Sequence, residues 1–122
     1  MRQITDHHDG HGLADSIIVT SDKLDPEAGN AAHCYTVTDK HGRTIATVQF
    51  QHGPRAEDGS LSGCTDGVLL AIIVDRMRSF NAGPFGTREN ALVMTHCQEA
   101  LHWLAHRANE RAARGVLGKN TA

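Results

Sequence analysis

An aromatic-flanked turn and a stripe of guanidinium groups carry the densest chemistry in this 122-residue sequence. Phe80, Asn81, Gly83, Pro84 and Phe85 form a Gly-Pro turn between two rings, and Asn90 follows in the first turn of the next expected helix. Glycine lacks a Cβ and so lets backbone approach a ligand closely. Phe80 offers a stacking face for a base, or alternatively a core anchor. Asn90 offers an amide donor and acceptor, or is an ordinary residue of a first helical turn. Arg107, Arg111 and Arg114 stand at i, i+4 and i+7, which puts them on one helical stripe. Three planar forks suit a pair of phosphates better than a single carboxylate. The competing reading is a solvated basic helix end facing the negative pole of the dipole.

Histidine raises a second chemistry, since the chain has nine. His102 and His106 are four apart on one helical face, a spacing that can chelate zinc, but the segment His102-Trp103-Leu104-Ala105-His106 lacks the glutamate of H-E-x-x-H. His96 and Cys97 are adjacent and point about 100° apart on a helix. His7, His8, Asp9 and His11 could hold a transition metal only as a flexible segment would. No metal and no cofactor is expected from these patterns. Nucleophilic chemistry is equally unsupported: no G-x-S-x-G or Walker motif occurs, and Cys34, Cys64 and Cys97 have no base placed by spacing. His33 precedes Cys34 on an expected strand, where consecutive side chains face opposite ways.

The elements that must position these residues are an N-terminal β part and two helices. Residues 1–12 show no periodicity and read as a mobile start. Residues 16–20, 31–38 and 43–51 read as strands, the last two joined by Asp39-Lys40-His41-Gly42 with Gly42 where φ > 0 is needed. In the last strand Ala46, Val48 and Phe50 alternate with Thr47, Gln49 and Gln51, which predicts one buried and one polar face. Residues 52–64 are a Gly- and Ser-rich loop. Helical periodicity predicts a first helix over 65–80, capped by Thr65 or Asp66, and a second over 87–114, with Thr87 as N-cap and Gly115 at its end. About 27 residues would make the second helix roughly 40 Å long, and the first is about half that. The excess length has no partner in its own chain, so Ala91, Met94, Leu101, Leu104, Ala105 and Ala108 predict packing against other subunits. The fold class is α+β within a single domain, 1–122: a small antiparallel β part (1–51) followed by a long helical hairpin, in a homo-oligomer.

Composition narrows the partners. Hydrophobic residues make up 39% and aromatics only 4%, a thin core for a lone monomer. Residues 1–66 carry five Lys/Arg and ten Asp/Glu (−5), while residues 67–122 carry seven and four (+3), giving the net −2. That balance disfavours polymeric nucleic acid, which needs many uncompensated cations, and leaves room for a small anionic ligand. No apolar run approaches the roughly 20 residues of a bilayer span, the His- and Asp-rich first thirty residues hold no apolar h-region of a secretory signal, and three unpaired cysteines suit a reducing compartment, so a cytoplasmic location is expected.

The second half of the chain resembles a known family. The residues that carry the resemblance are Phe50-Gln51-x-Gly53-Pro54-Arg55, Leu69 to Arg76, Arg78-Ser79-Phe80-Asn81-x-Gly83-Pro84-Phe85, and Arg88-Glu89-Asn90-Ala91. They continue through Glu99-Ala100-Leu101-x-Trp103-Leu104 to Arg107-x-Asn109-x-Arg111-x-x-Arg114-Gly115-Val116-x-Gly118. This looks like the first family of phage-encoded Thoeris anti-defence proteins, whose helical hairpin is shared with anti-CBASS cyclic-nucleotide sponges. The chain departs from that pattern at Gln98, His102 and His96-Cys97. The resemblance implies a non-enzymatic sponge acting inside the infected bacterial host, which holds a glycocyclic ADP-ribose messenger intact and keeps a defence effector from being activated. It implies a hexamer built from dimers, and cyclic di- or trinucleotides as a second cargo of some members. It also implies roles: Phe80 stacks on adenine, Asn90 hydrogen-bonds the ligand, and Arg55, Arg107 and Arg111 hold ribose and phosphate oxygens. Two rival readings use other features: a messenger-cleaving enzyme working through His102 or His106, and a module that binds a host protein through the apolar face of the second helix.

Overall fold

A computed structural model of the chain describes residues 2–52 and 63–115, which fall into two compact units, 2–52 with Gly63 and 64–115. The first unit is a four-stranded antiparallel meander in the order β1 (Arg2–Ile4), β2 (Ile18–Ser21), β3 (Cys34–Thr38), β4 (Thr44–Gln49). A single helical turn, α1 (Leu13–Ser16), joins β1 to β2, and a 3-10 turn, Pro26–Ala28, lies between β2 and β3.

The β3–β4 turn forms as its residues dictate. Gly42 has φ 79°, and the Asp39 carboxylate accepts hydrogen bonds from the backbone N–H groups of His41 (2.8 Å) and Arg43 (3.0 Å). Side-chain capture of nearby N–H groups is what makes aspartate a turn former. These bonds also favour the ionised form, and they hold the Asp39 carboxyl below the usual carboxylate range.

Register sorts the sheet into two faces. Ile4, Val19, Val37 and Ala46 stand in one cross-strand row, and Gln3, Thr20, Thr36 and Thr47 in the neighbouring one on the opposite face. Such rows are the units of sheet stabilisation, aliphatic on one side and hydroxyl-bearing on the other. On the aliphatic face Tyr35 and Phe50 meet edge to face at 5.7 Å.

Three expectations for this unit need correction. Residues 2–4 are not part of a free start: they pair with β2 as an edge strand, too short for alternation to reveal in sequence. The predicted alternation of β4 assigns its faces correctly but not its burial. Thr44 to Thr47, including Ala46, are exposed and only Val48 and Gln49 are half-buried, as befits an edge strand in a unit with little mass to cover it. Residue 16 belongs to α1 rather than to a strand.

The second unit is a helical hairpin, α2 (Asp66–Asn81) and α3 (Arg88–Ala113). Thr65 Oγ1 accepts from Val68 N–H (3.3 Å) and Thr87 Oγ1 from Asn90 N–H (3.0 Å), so both expected hydroxyl caps form. Gly115, with φ 75°, closes the end of α3. The half-buried and buried positions on α3 are 90, 94, 97, 101, 104, 108 and 111, with Ala100 beside Leu101, and on α2 they include 67, 70, 74, 77 and 81. Alternating steps of three and four are the period of a coiled-coil seam. Gly67 lies where the helices meet, and a Cβ there would sit at ordinary contact distance, 3.7 Å from Leu101 and 3.9 Å from Leu104. Since α2 begins opposite Leu101 and Leu104, the last turns of α3 run on beyond it. The segment expected as a loop over 52–64 lies, apart from its ends, outside the described residues. No helix among the described residues is long and apolar enough to cross a membrane.

Candidate functional site

At the turn end of the hairpin, Ile72, Asp75, Arg76, Ser79 and Phe80 line an open groove of about 530 Å³. Positions 72, 76 and 79–80 recur at helical spacing, so among the described residues one stripe of α2 supplies the lining. The Arg76 guanidinium lies 4.9 Å from the centroid of the Phe80 ring, within cation–π reach. Phe85 meets Phe80 edge to face at 6.3 Å and is itself exposed. Asn81 sits beside them with its side-chain Nδ2 buried and without a hydrogen-bond partner. A buried donor left unmet is a local cost to stability; Asn81 is not among the residues that line the groove.

Asn90 lies at the same end. Its amide donates to the Phe85 carbonyl (3.1 Å), so its first task is to hold the turn that presents the two rings. Asn90 and Phe80 are therefore neighbours through Phe85, and among the described residues the predicted ligand set divides into this pair and the pair Arg107 and Arg111 one turn apart on α3.

The arginines are elsewhere. From Asn90 to Arg107 and Arg111 along α3 is about 26 to 32 Å at helical rise. The stripe they form is also not uniform. Arg107 is exposed, Arg111 is buried at 8% exposure and already engaged, and Arg114 pairs with Glu110 on its own helix (3.2 Å). Arg55 lies outside the described residues. Sequence reasoning missed Arg76 and Asp75 as groove residues. The signal for Arg76 was present in its position four before Phe80, which places a cation over an aromatic face one turn on.

The histidine patterns resolve differently. The edges of His102 and His106 flank Trp103 at 5.4 and 5.6 Å, and His96 pairs with Glu99 at 3.8 Å. In the N-terminal segment His7 Nε2 is bound to the Ile17 carbonyl (2.7 Å), which removes it from a free metal-binding tail. Among the described residues, the grouping of three side chains with ligating atoms within 4.8 Å of one another is Asp25, His33 and His52, in the sheet unit. Hydrogen bonding from His33 and from Glu27 N–H holds the Asp25 carboxyl below the usual carboxylate range, with the nearby His33 and His52 acting in the same direction. Cys34, Cys64 and Cys97 are free thiols, each partly buried.

Comparison with known proteins places this geometry. Residues 44–109 match the Acb2/Tad1 hairpin domain, a span that takes in β4, α2 and most of α3. Over 83 residues the chain is 43% identical to a protein of Bacillus phage SBSphiJ7 named Thoeris anti-defense 1, covering 68% of this chain and 57% of that relative. The match thus spans little more than half the relative's length.

Proposed function

Because the chain belongs to the family defined by the Acb2/Tad1 hairpin domain, we propose that it is a phage anti-defence protein that sequesters a glycocyclic ADP-ribose messenger without cleaving it. The observation that carries this reading is the coincidence of the family match with the hairpin that bears the Phe80 groove. An adenine stacks on Phe80, Arg76 faces polar groups of the ligand, and phosphates are held by the exposed Arg107, by Arg111 once it exchanges its present partner, and by Arg55 from the preceding segment. The same chemistry suits cyclic di- or trinucleotides as a further cargo. The setting is the cytoplasm of the infected host.

One chain does not complete this pocket. A stack is worth about 1–3 kcal/mol and each hydrogen bond to a charged group about 1.5–3 kcal/mol, so one stack with two arginines gives roughly 4–9 kcal/mol. Association costs about 4–15 kcal/mol, which leaves too little for tight binding by a half-site in open solvent. The Phe80 and Arg107 clusters lie at opposite ends of α3, and a second copy packed antiparallel brings the turn end of one hairpin to the arginine end of the other. The exposed apolar side chains Val68, Ile72, Leu92, Val93 and Trp103 supply the surface for that packing, and for further assembly to a hexamer.

Calorimetric titration with glycocyclic ADP-ribose, followed by heat denaturation and chromatography of the released ligand, tests the sponge. Tight binding with intact release supports it. A cleaved product transfers the function to an enzyme, and failure to bind any cyclic nucleotide leaves a host-protein inhibitor. The composite pocket has its own test. Phe80→Ala and Arg107→Ala should each bind poorly, whereas mixing the two should restore binding to about a quarter of the sites, because each mixed dimer regains one intact pocket of two. No recovery on mixing, with subunit exchange verified, removes the shared pocket.

A further inference from the structure

We propose that Asp25, His33 and His52 form a binding site for a divalent transition-metal ion of the zinc class, within the sheet unit and separate from the nucleotide groove. Asp25 Oδ2 lies 2.9 Å from His33 Nε2 and 3.4 Å from His52 Nε2, so two imidazole nitrogens converge on one carboxylate oxygen. The rings are stacked with centroids 4.0 Å apart and planes 16° from parallel, so their in-plane lone pairs run side by side, and a shared ion requires the half-exposed His52 ring to turn until its Nε2 points at the ion held by Asp25 and His33. Ligand atoms at 2.0–2.2 Å around a tetrahedral zinc are about 3.3 Å from one another. The Asp25–His52 spacing already meets that, and the Asp25–His33 spacing needs to open by a few tenths of an ångström.

Two neutral imidazoles and one carboxylate are a common ligand set for such ions, and the set leaves coordination positions for water or another donor. Without an ion, Asp25 Oδ2 can satisfy both rings only if each carries its proton on Nε2. An ion bound at the two Nε2 atoms takes the place of those protons, and each neutral ring then carries its single proton on Nδ1 instead.

The surroundings hold the ligands as metal sites require. Asp25 caps the 3-10 turn: its Oδ1 accepts from Glu27 N–H (3.0 Å), which leaves Oδ2 for the histidines. Its backbone is fixed by bonds to Ala31 (2.9 Å) and Asn30 (2.8 Å). The His33 backbone N–H donates to the Asp22 carboxylate (3.1 Å), and its carbonyl accepts from Phe50 N–H (2.7 Å). His33 is largely buried and His52 half-exposed, which gives the ion a fixed inner ligand and a solvent-facing entry side.

The test is titration of the chelator-treated full chain with zinc chloride by calorimetry, with metal analysis after dialysis. The expected result is one tightly held ion per chain that His52→Ala weakens by at least about 100-fold, since even loss of a residue supporting a ligand costs 10–100-fold. His52 is half-exposed, so this variant keeps its fold, as circular dichroism would verify. Asp25→Asn should show the same loss, and the combined His7→Ala, His8→Ala and His11→Ala variant should bind as the parent does. Equal zinc binding in the parent and His52→Ala, loss only in the N-terminal variant, or no retained zinc in the parent would each overturn the site.

Discussion

The sheet unit and the helical hairpin handle their side chains in opposite ways. In the sheet unit the aspartates find partners inside the unit: Asp39 closes its own turn, Asp25 collects His33, His52 and Glu27, and Asp22 holds His33, while the buried Ser21 hydroxyl is left without a partner. In the hairpin one coiled-coil seam is packed, while a second set of large apolar side chains, among them Ile72 at 57% and Trp103 at 64% exposure, faces outward. Small domains can close their polar bonds locally, but 16- and 26-residue helices in a two-helix unit have more apolar surface than one seam can cover. A unit of the first kind is complete in one chain, and one of the second kind asks for another copy.

The largest test of that contrast is Ile72→Asp combined with Trp103→Asp. Each side chain buried between chains is worth about 1.5–3 kcal/mol, and a two-fold interface uses each twice, so the pair removes about 6–12 kcal/mol. Light scattering should show the assembly falling to monomers with helicity kept. An unchanged assembly would place the contact elsewhere and break the comparison.

A smaller effect probes the sheet unit. A Cβ on Gly63 would collide with the Gln49 carbonyl oxygen and approach Phe50 C and O at 2.5 and 2.6 Å. These are backbone atoms with no rotamer to give way, so Gly63→Ala should destabilise by about 1–3 kcal/mol in denaturant unfolding. No loss would mean that the close approach at Gly63 is not a constraint.

How legible these features were depends on their range. The caps Thr65 and Thr87, the turn at Gly42 and the ends of both helices are written in residues within four positions of each other, and they form as the sequence predicts. The edge strand β1 was invisible because three residues cannot show a period, and its existence depends on pairing with β2. The Asp25–His33–His52 group was hidden for the same reason: its members come from a cap, a strand entrance and a strand exit, and nothing local links them. The Phe80 turn and the arginine stripe were both visible, but that they sit at opposite ends of α3 emerges only when helical rise is applied to their numbers.

The same glycine-to-alanine change should have the opposite sign in the hairpin. Gly67 lies inside α2 with room for a Cβ at ordinary contact distance from Leu101 and Leu104. Alanine removes glycine's conformational cost in a helix, so Gly67→Ala should stabilise by about 0.5–1 kcal/mol. A loss instead would show that the α2–α3 seam is tighter at this level than its distances indicate.

The smallest expected effect isolates one charge. Asp25 has a lowered carboxyl in the fold, so its ionised form contributes stability at neutral pH that is lost as pH falls through that lowered value. Asp25→Asn keeps a side-chain acceptor for the 3-10 turn, since asparagine caps as well as aspartate, and removes only the charge that His33 and His52 face. In the presence of a chelator, thermal melts of the parent should therefore decline more steeply below about pH 4 than those of the variant, the two converging at the acid end. Asp39, also lowered but by the backbone and side chain of its own turn, is present in both proteins and cancels in the comparison. Parallel melting curves across that range would mean that the two imidazoles do not favour the Asp25 charge, and the cluster would then lack the electrostatic focus that draws a cation to it.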